Sequence, residues 1–243
     1  MRAAGLAVVV SVGVVSGVAN AGDAVQWRVE DGGNGHWYIV DNQGRLWADA
    51  KNHAEAIGGH LATITSEDER QVILPLLLDG VPADAWLGAS RPGPVQLPGW
   101  VTSEPFDFAV WTAGHPSSES QRCCLEINCR PETGEFGRWS IEYPFAGGGG
   151  QSSVIEFDAD CNADGIVDYG QILAGELSDA NGNNIPDCCE NGVPCDPCAA
   201  VDLDASGAVN GVDLAIILNT WGTDGGKYPQ ADVDGDGVVG GTD

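Results

Sequence analysis

Apolar and polar positions alternate along residues 25–157 in patterns that predict strands and helices in a definite order. Residues 25–43 are rich in aromatic and β-branched side chains and contain a Gly/Asn turn, which predicts an opening strand or hairpin. Apolar side chains then recur at helical spacing and predict a first helix. This helix ends at a glycine pair, and its inward face consists of Trp47, Ala50, Ala54 and Ile57.

A second helix is predicted from its first turn. Ser66, with Glu69 three residues later, has the spacing of a capping box, in which both side chains bond to backbone N–H groups. Short, Trp-rich strands separated by turns follow from residue 85 to residue 157. Helices followed by strands indicate an α+β domain, to which we assign residues 24–157. The side chains that face inward from the second helix are Val72, Ile73, Leu76 and Leu77.

The clearest chemical signal lies near the end of the chain, where oxygen-bearing side chains alternate around a glycine. Ca²⁺ prefers about six to eight oxygen ligands, and a helix–loop–helix calcium loop supplies them from fixed positions of a tight turn. Gly207 and Gly237 fill the sixth position, where the backbone takes a positive φ. The predicted ligands of these two loops are Asp202, Asp204, Ser206, Asn210 and Asp213, then Asp232, Asp234, Asp236 and Asp243.

Two further loops carry weaker versions of the same pattern. The predicted ligands of the first are Asp160, Asn162, Asp164 and Asp168, with the neutral Gln171 at its last position. Those of the second are Asp179, Asn181, Asn183, Asp187 and Glu190. Asn184 replaces the loop glycine there, which is tolerable because asparagine enters the left-handed conformation more readily than most residues. The sequence thus predicts calcium loops throughout the region after residue 157.

Net charge supports this interpretation and disfavours some partners. The chain carries a formal charge of −26, and residues 158–243 contain 17 Asp and Glu against a single Lys. A disordered acidic tail would contain blocks of like charge, whereas these acids are spaced two apart and followed by glycine. So acidic a surface disfavours nucleic acids and anionic membranes as partners. No segment is long and apolar enough to favour membrane insertion.

The chain begins with the features of a secretory signal peptide. Arg2 precedes an apolar stretch and Ala19-Asn20-Ala21 matches a cleavage site, so residues 1–21 predict export; an uncleaved anchor is the alternative. All eight cysteines lie after residue 122, and export makes disulfides their default state. A redox or zinc role for Cys195 and Cys198 is an alternative, but their Pro-rich setting favours a disulfide-stapled linker.

Residues 25–157 resemble the C-type lectin-like family through motifs that occur in the same order. These motifs are Gly-Gly-His-Leu-Ala-Thr-Ile at 58–64, Trp86-Leu87-Gly88, Gly114-His115-Pro116, Cys124-Leu125-Glu126-Ile127 and Val154-Ile155-Glu156. The resemblance implies a looped α+β fold and a cis peptide bond before Pro116. It also implies that the partner is a glycan or an extracellular protein.

The calcium-bridged sugar site of that family has lost nearly all of its oxygen ligands here. Sugar-binding members have Glu-Pro-Asn or Gln-Pro-Asp, a further acid and Trp-Asn-Asp, and the matching positions hold His115-Pro116-Ser117, Arg122 and Trp139-Ser140-Ile141. Arg122 would repel a cation. We therefore expect no calcium-bridged sugar at this loop. The candidates for contact with another ligand are His115, Pro116, Ser117 and Trp139.

The resemblance also predicts altered disulfides. The positions of the family's first and last cysteines hold Ala54 and Ile155, so one bridge is replaced by apolar residues. The second bridge keeps Cys124 without its usual partner. Cys129 is then the expected partner of Cys123 or Cys124, and the two pairings remain alternatives.

Two more resemblances cover the rest of the chain. Residues 158–198 resemble thrombospondin type 3 calcium repeats, and residues 199–243 resemble a type I dockerin, an EF-hand-like pair truncated after its second loop. A dockerin docks onto a cohesin module, which makes a cohesin-like module a candidate partner. Its usual hydroxyl pair is poorly matched, because only Thr242 fits. The helix after the third loop is expected to pack through Leu214, Ile217, Leu218 and Trp221.

No common catalytic fingerprint occurs in the sequence. Glu126 and Glu142 are a candidate carboxylate pair for glycoside hydrolysis, but Glu126 belongs to the family's strand motif, which favours a structural role. The sequence favours a secreted, calcium-binding, non-catalytic lectin-like recognition protein. The alternative is a dockerin-bearing, non-catalytic subunit tethered to an extracellular polysaccharide-degrading assembly or to the cell surface. An enzyme is the least favoured hypothesis.

Overall fold

The computed structural model describes residues 24–78, 81, 84–93, 96–144, 150–195, 203–204, 209, 211–232 and 237–241. The predicted signal peptide at 1–21 lies outside these residues. Within them, no helix combines the length and the apolar character that crossing a membrane requires.

The described residues form eight strands, five α-helices and four 3-10 turns. The strands are β1 (Val25–Gln26), β2 (Trp37–Arg45), β3 (His60–Leu61), β4 (Ala85–Ser90), β5 (Gly99–Trp100), β6 (Cys124–Ile127), β7 (Trp139–Glu142) and β8 (Gln151–Phe157). The α-helices are α1 (Trp47–Ala56), α2 (Glu67–Ile73), α3 (Asp168–Ala174), α4 (Asp187–Asn191) and α5 (Gly211–Thr220). The 3-10 turns cover Val29–Asp31, Leu74–Leu77, Pro131–Thr133 and Pro229–Ala231.

The strands form one sheet of order β1-β2-β8-β4-β6-β7, in which β3 also pairs with β8 and β5 with β4. β2 and β8 are antiparallel and pair Ile39 with Ile155, so the first and last long strands of the sheet lie side by side. β8 is parallel to β4, and the other strand pairings are antiparallel. Two helices with one mostly antiparallel, looped sheet confirm the α+β prediction for this part of the chain.

Apolar side chains cover both faces of the sheet. Successive side chains of a strand point to opposite faces, so Trp86 and Leu87 of β4 belong to different clusters. On the side of Trp86, α1 contributes Ala50 and Ala54, both with no exposed surface. The predicted inward face of the first helix is thereby confirmed at these two positions. The opposite cluster includes Tyr38, Val40, Ile73, Leu77, Leu87, Leu125, Ile127, Trp139, Ile141 and Val154.

Ser66 caps α2 as the sequence predicts, because its side chain accepts the N–H of Glu69 at 3.1 Å. The Glu69 carboxylate completes the box differently. It accepts the N–H of Thr65 at 2.8 Å and the hydroxyl of Tyr38 at 2.7 Å. The cap therefore also fastens α2 to the sheet.

Helix α5 packs through only part of the predicted face, because Ile217 alone of the four predicted residues lies against the core. The buried residues of this helix are Asp213 and Ile216, which lie against a small cluster containing Leu203. The Asp213 carboxylate accepts the N–H of Leu203 at 2.8 Å. This bond turns Asp213 inward, and Ile216 follows because residues three apart share a helix face. Three of the residues predicted to pack are instead more than half exposed: Leu214, Leu218 and Trp221.

The loops after the sheet are packed onto it. Tyr169 of α3 stacks on Phe157 with ring centroids 4.0 Å apart and meets Trp37 edge-on at 5.8 Å. Asn184 donates from Nδ2 to the carbonyl of Ile57 at 3.1 Å. Aromatic pairs of this kind contribute about 0.5–1.5 kcal/mol beyond the area that they bury. The sheet and the loops that follow it are thus held together by direct side-chain contacts.

Candidate calcium loops and ligand face

The first loop, residues 160–171, folds around the carboxylate of Asp160. Its oxygens accept the N–H of Asp164 at 3.1 Å and the N–H of Gly165 at 2.9 Å. Gly165 has a φ of +85°, as the sixth position requires. Helix α3 begins at Asp168, and Gln171 lies three residues further on the same helix face. The backbone thus brings the predicted ligands around one small volume.

Two buried oxygens of this loop have no hydrogen-bond partner in the described part of the protein. Asp168 is 2% exposed; its Oδ2 accepts the N–H of Cys161 at 3.0 Å, whereas its Oδ1 has no partner. Gln171 is 7% exposed; its Nε2 donates to Asp164 at 2.8 Å, whereas its Oε1 has no partner. An unpaired buried polar atom costs about 1–3 kcal/mol. Hard oxygens in this arrangement are ligands that fit Ca²⁺.

The charges of the first loop also lack compensation. Burial raises the pKa of the Asp168 carboxyl, and the negative charges of Asp160 and Asp164 raise it further, although the N–H of Cys161 acts in the opposite direction. A buried carboxylate among like charges is destabilised unless a positive charge joins it. The residues of this loop therefore fit a bound cation.

The second loop, residues 179–190, repeats these contacts. Asp179 accepts the N–H of Asn183 at 3.2 Å with one oxygen and the N–H of Asn184 at 2.8 Å with the other. Asp187 accepts the N–H of Ala180 at 3.1 Å, as Asp168 does from Cys161 in the first loop. Asn184 has a φ of +60°, which confirms its predicted place in the left-handed conformation.

The first loop has an acid at its fifth position and an amide at its last position, and the second loop has the reverse. In the first loop, the amide of Gln171 donates to Asp164 at 2.8 Å. In the second, the amide of Asn183 donates to Glu190 at 2.8 Å, and Asn181 donates to the same carboxylate at 2.9 Å. Each loop consequently carries three carboxylates, which are Asp160, Asp164 and Asp168, then Asp179, Asp187 and Glu190. Neutral Gln171 therefore does not reduce the charge of the first loop below that of the second.

The third loop (residues 202–213) and the fourth loop (residues 232–243) are described only in part. Asp204, Asp213 and Asp232 lie within the described residues. Asp232 accepts the N–H of Gly237 at 2.8 Å, as Asp160 does from Gly165. The Oδ1 atom of Asp232 is another buried oxygen without a hydrogen bond among the described residues. The remaining predicted ligands lie outside the described residues: Asp202, Ser206, Asn210, Asp234, Asp236 and Asp243.

The predicted ligand face begins at a cis peptide bond before Pro116, as the resemblance implies. His115 accepts the N–H of Ile141 with Nδ1 at 2.9 Å, and burial lowers the pKa of this imidazole. The carbonyl of Ser117 accepts a bond from the guanidinium of Arg91. His115 and Ser117 therefore fasten the loop to the sheet.

The prediction that Trp139 contacts a ligand is wrong. Its side chain has no exposed surface, because residue 139 of β7 points into the core. Its neighbour Ser140 points to the other face and donates to Glu126. The rings that surround Trp139 are those of Trp100, Phe106, Phe108 and Trp111.

Arg122 supplies the positive charge of the ligand face. Its Nε donates to Glu119 at 2.9 Å, its Nη1 bonds to Glu142, and its guanidinium lies 5.0 Å from the ring centroid of Tyr143. The hydroxyl of Tyr143 donates to the same Glu119 carboxylate at 2.8 Å. The bond from Arg122 lowers the pKa of the Glu119 carboxyl. Two carboxylates thus share the charge of Arg122, and the expectation that no calcium-bridged sugar binds here stays a prediction.

Two buried glutamates form networks that the sequence alone did not predict. Glu156 is 2% exposed and lies 2.6 Å from His36 Nδ1, while its other oxygen accepts the N–H of Thr63 at 2.9 Å. Glu126 accepts bonds from Ser140 at 2.6 Å and from Gln151 at 2.7 Å. Both oxygens of Glu126 therefore accept hydrogen bonds from within the protein, and this arrangement favours a structural role over glycoside hydrolysis. The signal in both cases is a single acid inside an apolar strand.

One disulfide joins the first two loops, and another joins the second loop to the residues after it. Cys161 bonds to Cys189, and Cys188 bonds to Cys195, which agrees with a stapled linker. The predicted bridge from Cys129 to Cys123 or Cys124 is wrong, since all three are free thiols. Strand β6 alone separates residues 124 and 127 by about 10 Å at ~3.3 Å per residue. A disulfide requires Cα atoms within about 7 Å.

Comparison with known proteins supports the fold of the sheet domain. No family model matches the chain. A segment of 87 residues is 32% identical to "C-type lectin domain family 4 member F" of Rattus norvegicus, covering 34% of this chain and 15% of that protein. A segment of 83 residues is 31% identical to "Type-2 ice-structuring protein" of Hemitripterus americanus, covering 33% of this chain and 47% of that protein.

Among solved structures, a calcium-independent type II antifreeze protein is similar, with a TM-score of 0.44 and 21% identity, covering 52% of this chain and 88% of that one. The chain spans less than half the length of the two sequence relatives. Those sequence matches support a C-type lectin-like domain in this chain.

Proposed function

We propose that this chain is an exported, non-catalytic recognition protein whose loops after residue 157 bind Ca²⁺. The observation that carries the calcium proposal is the pair of unpartnered buried oxygens on Asp168 and Gln171. Only a positively charged or proton-donating ligand can satisfy them. The repeated geometry of the second loop extends the proposal to a second site, and the described part of the fourth loop extends it further.

The residues that would hold the ion are the predicted ligands of each loop. Bound Ca²⁺ would supply positive charge and would order the loops. The first loop would use Asp160, Asn162, Asp164, Asp168 and Gln171, and the second Asp179, Asn181, Asn183, Asp187 and Glu190. The third and fourth loops would use Asp202, Asp204, Ser206, Asn210 and Asp213, then Asp232, Asp234, Asp236 and Asp243.

Equilibrium dialysis of the full chain against Ca²⁺ tests the calcium proposal. We expect dissociation constants of about 10⁻⁴–10⁻³ M, as in extracellular modules. Asp160→Asn should remove one bound ion per chain, because it removes a negative charge from the site and replaces one of the two oxygens that anchor the first turn by an amide N–H₂. Glu176→Gln is the matched control, since it removes one charge from an exposed residue outside the loop ligands. Equal ion counts for Asp160→Asn and the wild type would contradict the assignment.

The lectin-like domain binds a glycan or an extracellular protein at the face formed by residues 115–122 and Tyr143. The support is the likeness to the lectin domains named above, together with exposed polar groups on that loop. Arg122 takes the place of an ion there. The ligand is therefore bound without Ca²⁺ at this face.

A glycan array probed with the full chain, with and without chelator, tests this part. Binding that persists in chelator and falls at least tenfold in Arg122→Gln supports it. Arg28→Gln is the control, because Arg28 is an exposed arginine directly before the first 3-10 turn. Binding lost on chelation would contradict the proposal that the ligand is bound without Ca²⁺. Absence of binding to every glycan would leave an extracellular protein as the ligand class.

A second candidate function is tethering to a larger assembly through α5. Leu214 and Leu218 of this helix and Trp221 directly after it expose an apolar stripe, which suits attachment to another protein. The dockerin-like spacing favours a cohesin-like module as that partner. A pull-down of the full chain with immobilised cohesin modules tests it. Retention that is lost in Leu218→Asp supports tethering, and no retention contradicts it.

A further inference from the structure

Two thiol sulfurs touch at the start of β6. The Sγ atoms of Cys123 and Cys124 are 2.6 Å apart, and neither residue is in a disulfide. Cys123 is half-buried and Cys124 is 2% exposed, so solvent reaches one member of the pair. Adjacency in sequence does not by itself cause this contact. Cys188 and Cys189 are also adjacent in sequence, but their Sγ atoms are 4.0 Å apart and each bonds to another cysteine.

No other described sulfur competes for this pair. Cys129 lies beyond the far end of β6, and its Sγ contacts the carbonyl of Ile127 at 3.4 Å. The other described cysteines are already joined in two disulfides. Cys198 lies outside the described residues. Each of the two cysteines, Cys123 and Cys124, therefore has the other as its nearest oxidation partner among the described residues.

The pair adjoins the loop that carries the ligand face. Arg91, which is 4% exposed, donates its N–H to the carbonyl of Cys123 at 2.8 Å and its Nε to the carbonyl of Arg122 at 3.0 Å. Its guanidinium also bonds to the carbonyl of Ser117. The N–H of Cys123 donates to the carbonyl of Glu142 at 3.0 Å. A change of backbone at Cys123 would therefore act on both ends of residues 117–122.

We propose that Cys123 and Cys124 are a reversible oxidation site, closing to a disulfide between adjacent residues that alters the loop of residues 117–122. The oxidant is a small-molecule disulfide such as oxidised glutathione. The Cys123 thiolate attacks it, forms a mixed disulfide and releases one thiolate; the Cys124 thiolate then attacks the Cys123 sulfur and releases the second. Two S–H bonds give way to one S–S bond, and the two protons and two electrons leave on the two small thiols.

The order of these steps follows from burial. Burial raises the pKa of the Cys124 thiol, and the contact with Cys123 raises it further. The thiolate is the attacking form, so the more exposed Cys123 takes the first step. Cys124 then needs only to reach a sulfur that it already touches.

Closure must move the backbone. Adjacent Cα atoms are about 3.8 Å apart, whereas disulfide-bonded residues are usually at least about 4.4 Å apart. The peptide between Cys123 and Cys124 must rotate to accommodate the bond. The bonds from Arg91 to the Cys123 carbonyl and from the Cys123 N–H to Glu142 lie next to that peptide. Oxidation therefore loosens residues 117–122, and reduction restores them.

The site is tested by thiol mapping of the full chain. The protein is equilibrated in glutathione buffers of increasing oxidised fraction, denatured, alkylated and digested. Cys123 and Cys124 should lose alkylation together, and their shared peptide should become lighter by two hydrogen atoms, while Cys129 stays alkylated. Cys129→Ser should behave identically. A peptide that links Cys129 to either neighbour, or alkylated Cys123 and Cys124 in the most oxidised buffer, would overturn the proposal.

The effect on the loop is tested by limited trypsin digestion of the same samples. Cleavage after Arg122 should be several-fold faster in the oxidised protein, whereas cleavage after Arg28 should be unchanged. In Cys124→Ser, which cannot close the bond, the glutathione buffer should have no effect on cleavage after Arg122. Equal cleavage rates after Arg122 in oxidised and reduced wild type would refute the control of the loop by this pair.

Discussion

The sheet domain and the two loops that follow it are stabilised by different forces. In the sheet domain, large side chains such as Trp86, Leu87, Leu125 and Ile141 have no exposed surface. In the described residues from 158 to 195, the buried apolar residues are Leu177 and Pro186, and the buried polar residues are Asp168 and Gln171. Apolar burial orders the first region, whereas N–H bonds to carboxylates and two disulfides order the second. The second region also gathers negative charge that only a cation would balance.

The largest expected effect comes from the apolar core. Leu125→Ala should lower the free energy of unfolding of the sheet domain by about 2–5 kcal/mol, because it leaves a cavity where no solvent reaches. Urea unfolding followed by tryptophan fluorescence measures it. Leu173→Ala is the control, since Leu173 is 56% exposed and its loss should cost no more than about 0.5 kcal/mol. A loss at residue 125 that vanished in calcium would contradict the separation of the two forces.

The next effect is a pH dependence inside the sheet. Burial raises the pKa of Glu126 from 4.5 to about 7, with Asp84 and Glu142 adding to it and bonds from Ser140 and Gln151 opposing it. The folded state holds this proton more tightly than the unfolded state. Its stabilising contribution is therefore complete below about pH 4.5 and is lost as the pH rises through about 7, by about 3 kcal/mol.

Urea unfolding at a series of pH values measures this dependence. Glu126→Gln, which cannot ionise, should lose the decline between pH 5 and 8 that the wild type shows. An unchanged pH profile in Glu126→Gln would assign the decline to other groups. The buried Glu156 network is a different cluster, so this variant leaves its contribution in place.

Calcium should act mainly on the second region. A site filled at a free Ca²⁺ concentration 100 times its Kd adds about 2.7 kcal/mol to stability. Thermal unfolding followed by circular dichroism, with Ca²⁺ and with chelator, measures the gain. Asp160→Asn combined with Asp179→Asn should remove the part of the gain that comes from the first two loops. Identical midpoints with Ca²⁺ and with chelator would show that no cation stabilises the fold.

The smallest expected effect is at the contact between the two regions. Tyr169→Ala removes the ring that stacks on Phe157 and should cost about 0.5–1.5 kcal/mol beyond the lost area. It should also stop Ca²⁺ from raising the midpoint of the sheet domain, which tryptophan fluorescence reports. Tyr169→Phe keeps the ring and should retain the calcium response. A calcium response that survives in Tyr169→Ala would show that the regions communicate elsewhere.

Local rules predicted much of this structure from the sequence. The cap at Ser66, the buried face of α1 and the left-handed Asn184 each depend on residues within a few positions of each other. The N–H bonds to Asp160 and Asp179 follow from the same short-range spacing. Turn chemistry and helix periodicity are therefore readable without knowledge of the rest of the fold.

Features that depend on distant partners could not be predicted this way. The orientation of α5 is set by the bond from Leu203 to Asp213, which overrides the apolar periodicity. Trp139 is taken into the core by aromatic neighbours that lie up to 39 positions away in the chain. The Glu156 carboxylate contacts His36, which lies 120 positions away in the chain. Contacts between residues 10 to 120 positions apart decided these three cases, and single-sequence patterns contain no record of such contacts.

Hydrogen exchange of the full chain, with Ca²⁺ and with chelator, tests most directly whether the second region is ordered by a cation. At 100 times the Kd, the amides of residues 160–190 should exchange about 100-fold more slowly than in chelator, while those of β4, β6 and β8 change far less. Equal exchange at residues 160–190 in both conditions would contradict the account. It would mean that the carboxylate loops are complete without a metal.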